Sequence, residues 1–490
     1  DNELRATSRY FKNPSIDFPN YGVDLIWPMV KDIYENSQLT PFRTIINAWE
    51  KKYALGSFFR DRLHPNRKYK RSQFIKDIGG FSKFRRLWAR TFSMSPSLVP
   101  VSAVFVKGEL LPPRKWQNDK VRSVIGSPIF QYIMSTIWNF EPNHRFRWET
   151  TPIKIGMPLN GSVMSSLFKR HSRFNKHFAG DMSDFDSTIT GEVQELIKSV
   201  RKKGYEKHKD FDRICNLIDL NYTFLENQFL NTTSTGNIYR KGSGLTTGHS
   251  ATSADNSLTT VILYLTAWRE ITGYSAEEFK FFNELSCYGD DHILSISNVA
   301  PPSWNWSNIV RSMKNWNIEM RLEATGGLQS IPFLSKYCRR PNHADKVELL
   351  NASCAIPEFI VFHDKERLVG KLTGPTNIKD HKYRIKRLIS YLDLCAHHPD
   401  VYQSITFAIN EVEKNGGHYL KGFKFKIPSY NQILSNWYNK QSSMPPMPEV
   451  AENVAIVEDK TGSLVTYGQA TFLDVLIGYV AAVPDFLNPA

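Results

Sequence analysis

"FAGDMSDFDSTITGEVQELIKSV", residues 178–200, holds a short apolar approach ending at Asp181, a turn-forming run containing Asp184 and Asp186, and then a helical pattern. Val193, Leu196, Ile197 and Val200 fall at i, i+3, i+4 and i+7, the spacing that places apolar groups on one helix face. The stretch therefore reads as strand, turn and helix with acids gathered at the turn. Side chains alternate along an extended segment, so Asp184, an odd step from Asp181, points to the opposite face and is read as structural.

A second acidic turn lies about a hundred residues on. In "SCYGDDHILSIS", residues 286–297, two strand-like runs are joined through Gly289 and Asp290, and glycine at the first central position suits a two-residue hairpin turn. Asp290 and Asp291 stand at its tip and repel each other unless a cation sits beside them. On its own, an Asp-rich turn facing solvent has the same pattern. Asp181, arriving from a separate strand end, gives the pair a partner: magnesium takes oxygen ligands, and two ions bridging carboxylates can clamp an attacking oxygen and a leaving phosphate.

Two further stretches extend the pattern. "TTGHSATSADNSLTTVILYL", residues 246–265, passes from a loop at Gly248 into a helix buried through Leu258, Val261, Ile262 and Leu265. Thr252 and Asn256 lie one turn apart on nearly the opposite side, so a hydroxyl and an amide facing Asp186 can test a ribose 2′-hydroxyl. A polar solvent face fits the same spacing. In "VKGELLPPRKWQNDKVRSVIGSP", residues 106–128, Lys120 and Arg122 alternate along a strand-like run and share one face. Two fixed cations there can steady a triphosphate, although an exposed edge strand carries such pairs too.

Composition limits the alternatives. The 490 residues are 41% apolar, enough for several subdomains around a core and against disorder, and the net charge of +14 favours a polyanion such as nucleic acid. Five scattered cysteines without a CxxC pair argue against a disulfide framework or zinc ribbon. "DLCAHH", residues 393–398, could offer Cys395, His397 and His398 to zinc, but no second pair completes four ligands. The run "FLDVLIGYVAAV" from Phe472 is too short to span a bilayer, and Asp474 interrupts it. Since the chain starts at Asp1 without a signal pattern, excision from a longer polypeptide is expected.

Between Arg60 and Arg90, eleven Lys/Arg against two acids interleave with aromatic residues, as a stacking and phosphate-tracking surface or as a basic face over an aromatic core. After the Pro-rich "SSMPPMPEV" at 442–450, residues 451–490 carry −4, leaving +18 on residues 1–450, so the tail reads as a separate acidic appendage that folds back on the basic part of the chain or docks another protein. Strands and helices are mixed without regular βαβ alternation, which predicts an α+β fold.

Taken in order, these residues resemble the motifs of viral RNA-dependent RNA polymerases, most closely the picorna-like group. "KGEL…KVR" is similar to motif F, "DMSDFD" to motif A, "TGHSATSADNS" to motif B, "YGDD" to motif C and "FLSKYCRR" (333–340) to motif E. The resemblance covers residues 107–340. It implies a right hand of fingers, palm (an antiparallel sheet with helices on one face) and mostly helical thumb: fingers over 1–180 with motif F near 107–126, motif A at 181–190, a fingers insertion at 191–242, palm motifs B to E at 243–340, thumb at 341–441, and the break and appendage at 442–490.

By the same resemblance Asp181, Asp290 and Asp291 are catalytic and hold two Mg²⁺ ions, with Mn²⁺ as a substitute. Lys107, Lys120, Arg122, Asp186, Thr252 and Asn256 meet the nucleotide, Glu109 anchors the motif F loop, and Thr247, Gly248 and Lys336 contact template or backbone. Motif B departs from the family pattern, with Thr247 where serine usually precedes the glycine; Ser243 and Gly244 restore "SG" but misplace Thr252 and Asn256. "NWNIEMRLEATGG" (315–327) lacks the motif D lysine, and Arg321 is a poor proton donor because its pKa is so high. "ALGSFF" (54–59) stands where motif G is expected.

The activity implied is template-directed RNA synthesis from NTPs, with template, product duplex and NTPs as partners, other viral replication or capsid proteins beside them, and host cytoplasm, in a replication complex or particle, as the location. A reverse transcriptase would carry a bulky aromatic gate where this chain has Asp186. A non-catalytic RNA-binding protein would have lost the carboxylates, and a two-metal nuclease leaves the Thr252 and Asn256 helix without a role.

Overall fold

A computed structural model describes residues 2–41, 44–45, 75–77, 79–80, 82–84, 86, 101–106, 122–232, 235–373 and 381–439. Most of the basic 60–90 segment, the 54–59 and 107–121 stretches and the whole of 440–490 lie outside the described residues, and with them Lys107, Glu109 and Lys120.

The described strands are β1 (Val101–Val106), β2 (Ser123–Gly126), β3 (Lys176–Met182), β4 (Phe229–Thr232), β5 (Ile238–Arg240), β6 (Asn283–Tyr288), β7 (Asp291–Ile296), β8 (Met320–Gly326), β9 (Lys336–Arg339) and β10 (Ile360–His363). They form three sheets, ordered β2-β1-β4-β5, β6-β7-β3-β8 and β10-β9. The middle sheet is wholly antiparallel and carries both acidic turns: β6 and β7 pair from Asn283↔Ile296 to Tyr288↔Asp291, and β3 runs between β7 and β8.

Alternation along these strands divides the sheet into two faces. Leu285, Cys287, Leu294, Ile296, Met182 and Met320 join one core with the helices Val23–Tyr34, Ile129–Asn143, Gly191–Lys203 and Thr252–Thr272. Ala179 and Ile293 join a second core with helices Gly161–His171, His343–Asn351, His381–Leu392, Pro399–Gly416 and Tyr430–Asn439. The four apolar residues expected to bury one face of helix Gly191–Lys203 are all buried.

Helix Thr252–Thr272 rules out the solvent-face alternative. It is buried from Ala254 to Trp268 apart from Asn256, so it has no solvent face, and Asp255, Ser257, Thr259 and Thr260 are enclosed with the apolar residues. Each fully buried Leu, Ile or Val contributes roughly 1.5–3 kcal/mol, and the enclosed polar groups must find internal partners. They do: Arg201 pairs with Asp255 at 2.5 Å, Tyr222 donates to the same carboxylate at 2.7 Å, and the guanidinium lies over the rings of Tyr34 and Trp138. Beneath the site, this helix is thereby fixed to helices Gly191–Lys203 and Phe211–Glu226. Among the described residues, no helix is long and apolar enough to cross a membrane.

Candidate active site

Gly289 carries φ +64° and Asp290 a negative φ, so a two-residue turn with glycine first closes the β6–β7 hairpin, as the sequence predicts. Asp181 sits near the end of β3, exposed and opposite Arg321 of β8. The hairpin tip and this strand end come together because β3 pairs with β7 through Gly180↔His292. Desolvation, followed by the charges of Asp181 and Asp186, pushes the Asp290 carboxyl above its ordinary range; the backbone N–H of Asp290 and Arg122 pull the other way. Arg122 is exposed and immediately precedes β2.

Adjacent in sequence, Asp290 and Asp291 have different surroundings. Asp291 accepts a hydrogen bond from Leu334 N at 3.1 Å. Burial, then the charges of Glu323 and Asp290, push it up to about 7. Lys336 lies on this side as well, buried, with Nζ donating to Leu334 O at 3.2 Å and its pKa lowered by burial to about 8.

Asp186 belongs to the short helix Phe185–Thr188, entered through Asp184 at φ +50°. Its carboxylate is grasped by residues from the far N-terminus: Arg9 Nη2 stands 3.2 Å from Oδ2, and Tyr10 donates its hydroxyl to the same oxygen. Arg9 also meets Asp184 at 3.3 Å, giving that acid a structural role. Burial holds Asp186 above the usual carboxylate range despite both partners. Tyr10 is fully buried with Val104, Ile125 and Leu230 of the β2-β1-β4-β5 sheet, and its carbonyl accepts from Gly242 N and Ser243 N. Nothing in the spacing of "SRYFKN" signals a partner more than 170 residues away.

The loop before helix Thr252–Thr272 is threaded between these parts. Gly244 has φ +93°, and a Cβ there would stand 2.7 Å from Asp186 O, while Leu245 N donates to that same carbonyl at 2.7 Å. Gly248 has φ +86°, with a Cβ position 2.1 Å from Ile125 O. Beside it, Thr247 Oγ1 accepts from Ile125 N at 3.1 Å, tying the loop to β2. Both glycines are therefore required, Gly244 against the Asp186 backbone and Gly248 against the other sheet. Thr252 spends its hydroxyl on Thr246 O and His249 O at 3.0 and 2.9 Å. Asn256 stands beside Gly289, and its buried Oδ1 has no hydrogen-bond partner among the described residues.

Away from this site, the ligand atoms of Asp345, Glu348 and His397 lie within 4.8 Å of one another. Asp345, however, is forked by Arg339 and accepts from Asn342 N at 2.8 Å, and the Arg339 hydrogen bond holds it below the usual carboxylate range. His397 Nε2 meets Tyr438 Oη at 2.7 Å, His398 Nε2 meets His363 O at 2.6 Å, and Cys395 Sγ donates to Tyr391 O. The "DLCAHH" groups thus point to three different partners, as structural residues do.

Comparison with known proteins agrees with this architecture. The family profile described as "Viral RNA-dependent RNA polymerase" matches residues 82–349, more than half of the chain. The chain is 30% identical over 206 residues to genome polyprotein 1 of barley yellow mosaic virus, a match covering 39% of this chain and 8% of that protein. It is 26% identical over 166 residues to the RNA1 polyprotein of Satsuma dwarf virus (32% and 8%), and 23% identical over 244 residues to the genome polyprotein of Southampton virus (47% and 12%). The chain thus spans about a tenth of the length of these relatives. In fold it resembles the "Sicinivirus 3Dpol RNA dependent RNA polymerase", with a TM-score of 0.64 at 17% identity over 89% of this chain and 88% of the other. The mixed helix and sheet architecture is that α+β right-hand fold.

Proposed function

The chain belongs to the viral RNA-dependent RNA polymerase family, and from that premise we propose that it extends an RNA strand from NTPs on an RNA template, replicating or transcribing a viral genome. The observation that carries this reading is the pairing of β3 with β7 through Gly180↔His292, which sets Asp181 beside the hairpin tip, where Asp290 faces solvent with its carboxyl raised by desolvation and by the charges of Asp181 and Asp186. Such a site is incomplete without added positive charge, and its all-oxygen donor set suits hard divalent ions. Asp181, Asp290 and Asp291 would hold two magnesium ions, or manganese in their place. Bound there, the ions would lower the pKa of the 3′-hydroxyl and offset charge on the departing pyrophosphate.

The chain's own residues do the remaining work. Arg122, whose charge reaches Asp290, would steady the triphosphate together with Lys107 and Lys120. Asn256 offers its free Oδ1 to the ribose 2′-hydroxyl, and Asp186, held by Arg9 and Tyr10, supplies a second polar group. Thr252 acts from behind, bracing the loop rather than presenting its hydroxyl. Thr247 and Gly248, fastened to β2, would line the template path, and Lys336 would act from beneath Asp291. Arg321 is paired with Glu319 at 2.6 Å and stays charged, so it offsets charge near Asp181 without donating a proton.

We assign the fingers to 1–180 and 191–242, the palm to 181–190 and 243–340, the thumb to 341–441 and an appendage to 442–490. The setting is the host cytoplasm, in a replication complex or particle, with other replication or capsid proteins as partners.

The test is extension of a primed RNA template with labelled NTPs or dNTPs. NTP-dependent extension that Asp290→Asn abolishes, with RNA affinity retained, is expected. Full extension by that variant overturns the assignment, and a strong dNTP preference makes the enzyme a reverse transcriptase.

A further inference from the structure

Helix Thr252–Thr272 presents three hydroxyls to the β6–β7 turn. Ser257, Thr260 and Tyr264 are spaced i, i+3 and i+7, which places them on one helix face, and all three are fully buried. Ser257 Oγ accepts from Gly289 N at 2.7 Å, its own proton going to Ser253 O. Thr260 Oγ1 lies 2.7 Å from Gly289 O and donates to it. Tyr264 Oη lies 2.7 Å from His292 Nε2, and His292 Nδ1 lies 2.7 Å from Asp290 O.

A carbonyl only accepts, so Nδ1 of His292 carries the ring proton and Nε2 accepts from Tyr264. Gly289 N, Gly289 O and Asp290 O are thus each held by the helix, directly or through one imidazole. Space for the imidazole comes from Gly180, where a Cβ would stand 2.7 Å from His292 Nε2.

We infer that the Ser257, Thr260 and Tyr264 face, with His292, is a positioning device that holds the Asp290 carboxylate at the site against the repulsion of its neighbours. The physical need is plain: Asp290 is pressed by the charges of Asp181 and Asp186, and a free hairpin tip would swing outward to relieve them. Two strands and a two-residue turn do not resist this alone, because a hairpin is marginal without tertiary support. Hydrogen bonds at three backbone groups of the turn, Gly289 N, Gly289 O and Asp290 O, supply that resistance, and they transmit any shift of the helix that carries Asn256 to the acid beside it. The inference rests on the polymerase reading above.

The test uses Ser257→Ala, Thr260→Val and Tyr264→Phe in the full chain, with Thr260→Ser as the conservative variant. Three quantities are read: single-turnover incorporation on primed RNA, NTP KM with RNA Kd, and Mn²⁺ affinity measured without NTP by electron paramagnetic resonance of free Mn²⁺. Groups that orient metal ligands typically cost 10–100-fold when removed, so Thr260→Val and Tyr264→Phe should lose about tenfold or more in rate and in Mn²⁺ affinity. NTP KM and RNA Kd should stay within about twofold, and Thr260→Ser should restore both losses. Should Ser257→Ala melt below the assay temperature, the other two variants decide the matter. Wild-type rate and Mn²⁺ affinity in either of them, or equal losses in Thr260→Val and Thr260→Ser, overturn the inference. If Asp290→Asn itself still extends primers, the polymerase reading fails; if Asp290→Asn is inactive while the hydroxyl variants behave as wild type, only this inference does.

Discussion

Two acidic groups in this molecule are alike in composition and opposite in condition. On helix His343–Asn351, Asp345 has a forked arginine, a capping N–H and a carboxyl held below its usual range. At the β6–β7 turn, Asp290 and Asp291 are pressed by other acids and held above it. A satisfied carboxylate stabilises the chain that contains it, whereas an unsatisfied one lowers stability and persists only where something outside the chain completes it. The difference separates structure from site more sharply than proximity does, since Asp345, Glu348 and His397 are close enough to suggest a metal and yet Asp345 is held by Arg339 and Asn342 and His397 by Tyr438.

The largest expected effect exchanges the two roles. Asp290→Asn should lower incorporation by on the order of a thousandfold or more, because a group acting on charge at the reacting centre is lost. In chelator the same change should leave the melting temperature unchanged or raise it, as relief of a strained functional site commonly adds roughly 0.5–2 kcal/mol. Asp345→Ala should do the reverse, costing about 2 kcal/mol through its arginine fork and cap while the rate per folded molecule is kept. Calorimetry beside primer extension reads both. Equal stability losses in the two variants would break the comparison.

Much of this was legible in sequence, for reasons particular residues make clear. The turn at Gly289 was readable because only a glycine-first hairpin fits between two apolar runs, and helix Gly191–Lys203 because its face repeats at 3.6 residues. Helix Thr252–Thr272 left two readings open in sequence, because its Ser and Thr residues imitate a solvent face; the helix is enclosed from Ala254 to Trp268 apart from Asn256, with hydroxyls satisfied by turn and helix carbonyls. Local spacing carries no information about such partners. Arg9 and Tyr10 were invisible for the same reason, since their contact with Asp186 is closed by tertiary packing of the N-terminal segment. Asp255 did offer a signal, an acid set within an apolar helix, which must find a buried cation; Arg201 is that cation.

Tyr10→Phe comes next in size and asks whether Asp186 belongs with the satisfied or the unsatisfied acids. Its oxygen is shared by Tyr10 and Arg9, yet burial still raises its pKa. Removing the hydroxyl while keeping the ring frees the carboxylate to turn. Discrimination between NTP and dNTP should then fall by about 3–10-fold, less than a direct hydrogen bond to the ribose is worth, with the incorporation rate for NTP little changed. An unchanged ratio would class Asp186 with Asp345, as an acid held for structure.

The smallest effect is in the pH dependence of stability, where the two groups must have opposite signs. Asp291 has its folded pKa raised from 3.8 to about 7, so its contribution is fully present below about 3.8 and is lost as pH rises through 7. Asp345 is lowered from 3.8, so its contribution is present above that value and is lost as pH falls through the depressed one. Buried neutral His249 and His292, both lowered to about 4, favour the folded state as pH rises toward 6.5, which makes the difference between variants the informative quantity. Measured in chelator from pH 5 to 8, Asp291→Asn should gain stability relative to the parent as pH rises, whereas Asp345→Asn should run parallel to the parent there and diverge only near pH 4. Saturating Mg²⁺ should restore the parent at pH 8, because a ligand that binds the deprotonated acids of the folded state alone draws the equilibrium toward it. Parallel curves for Asp291→Asn and the parent would place that acid among the satisfied ones and leave Asp290 and Asp181 to hold the ions without it.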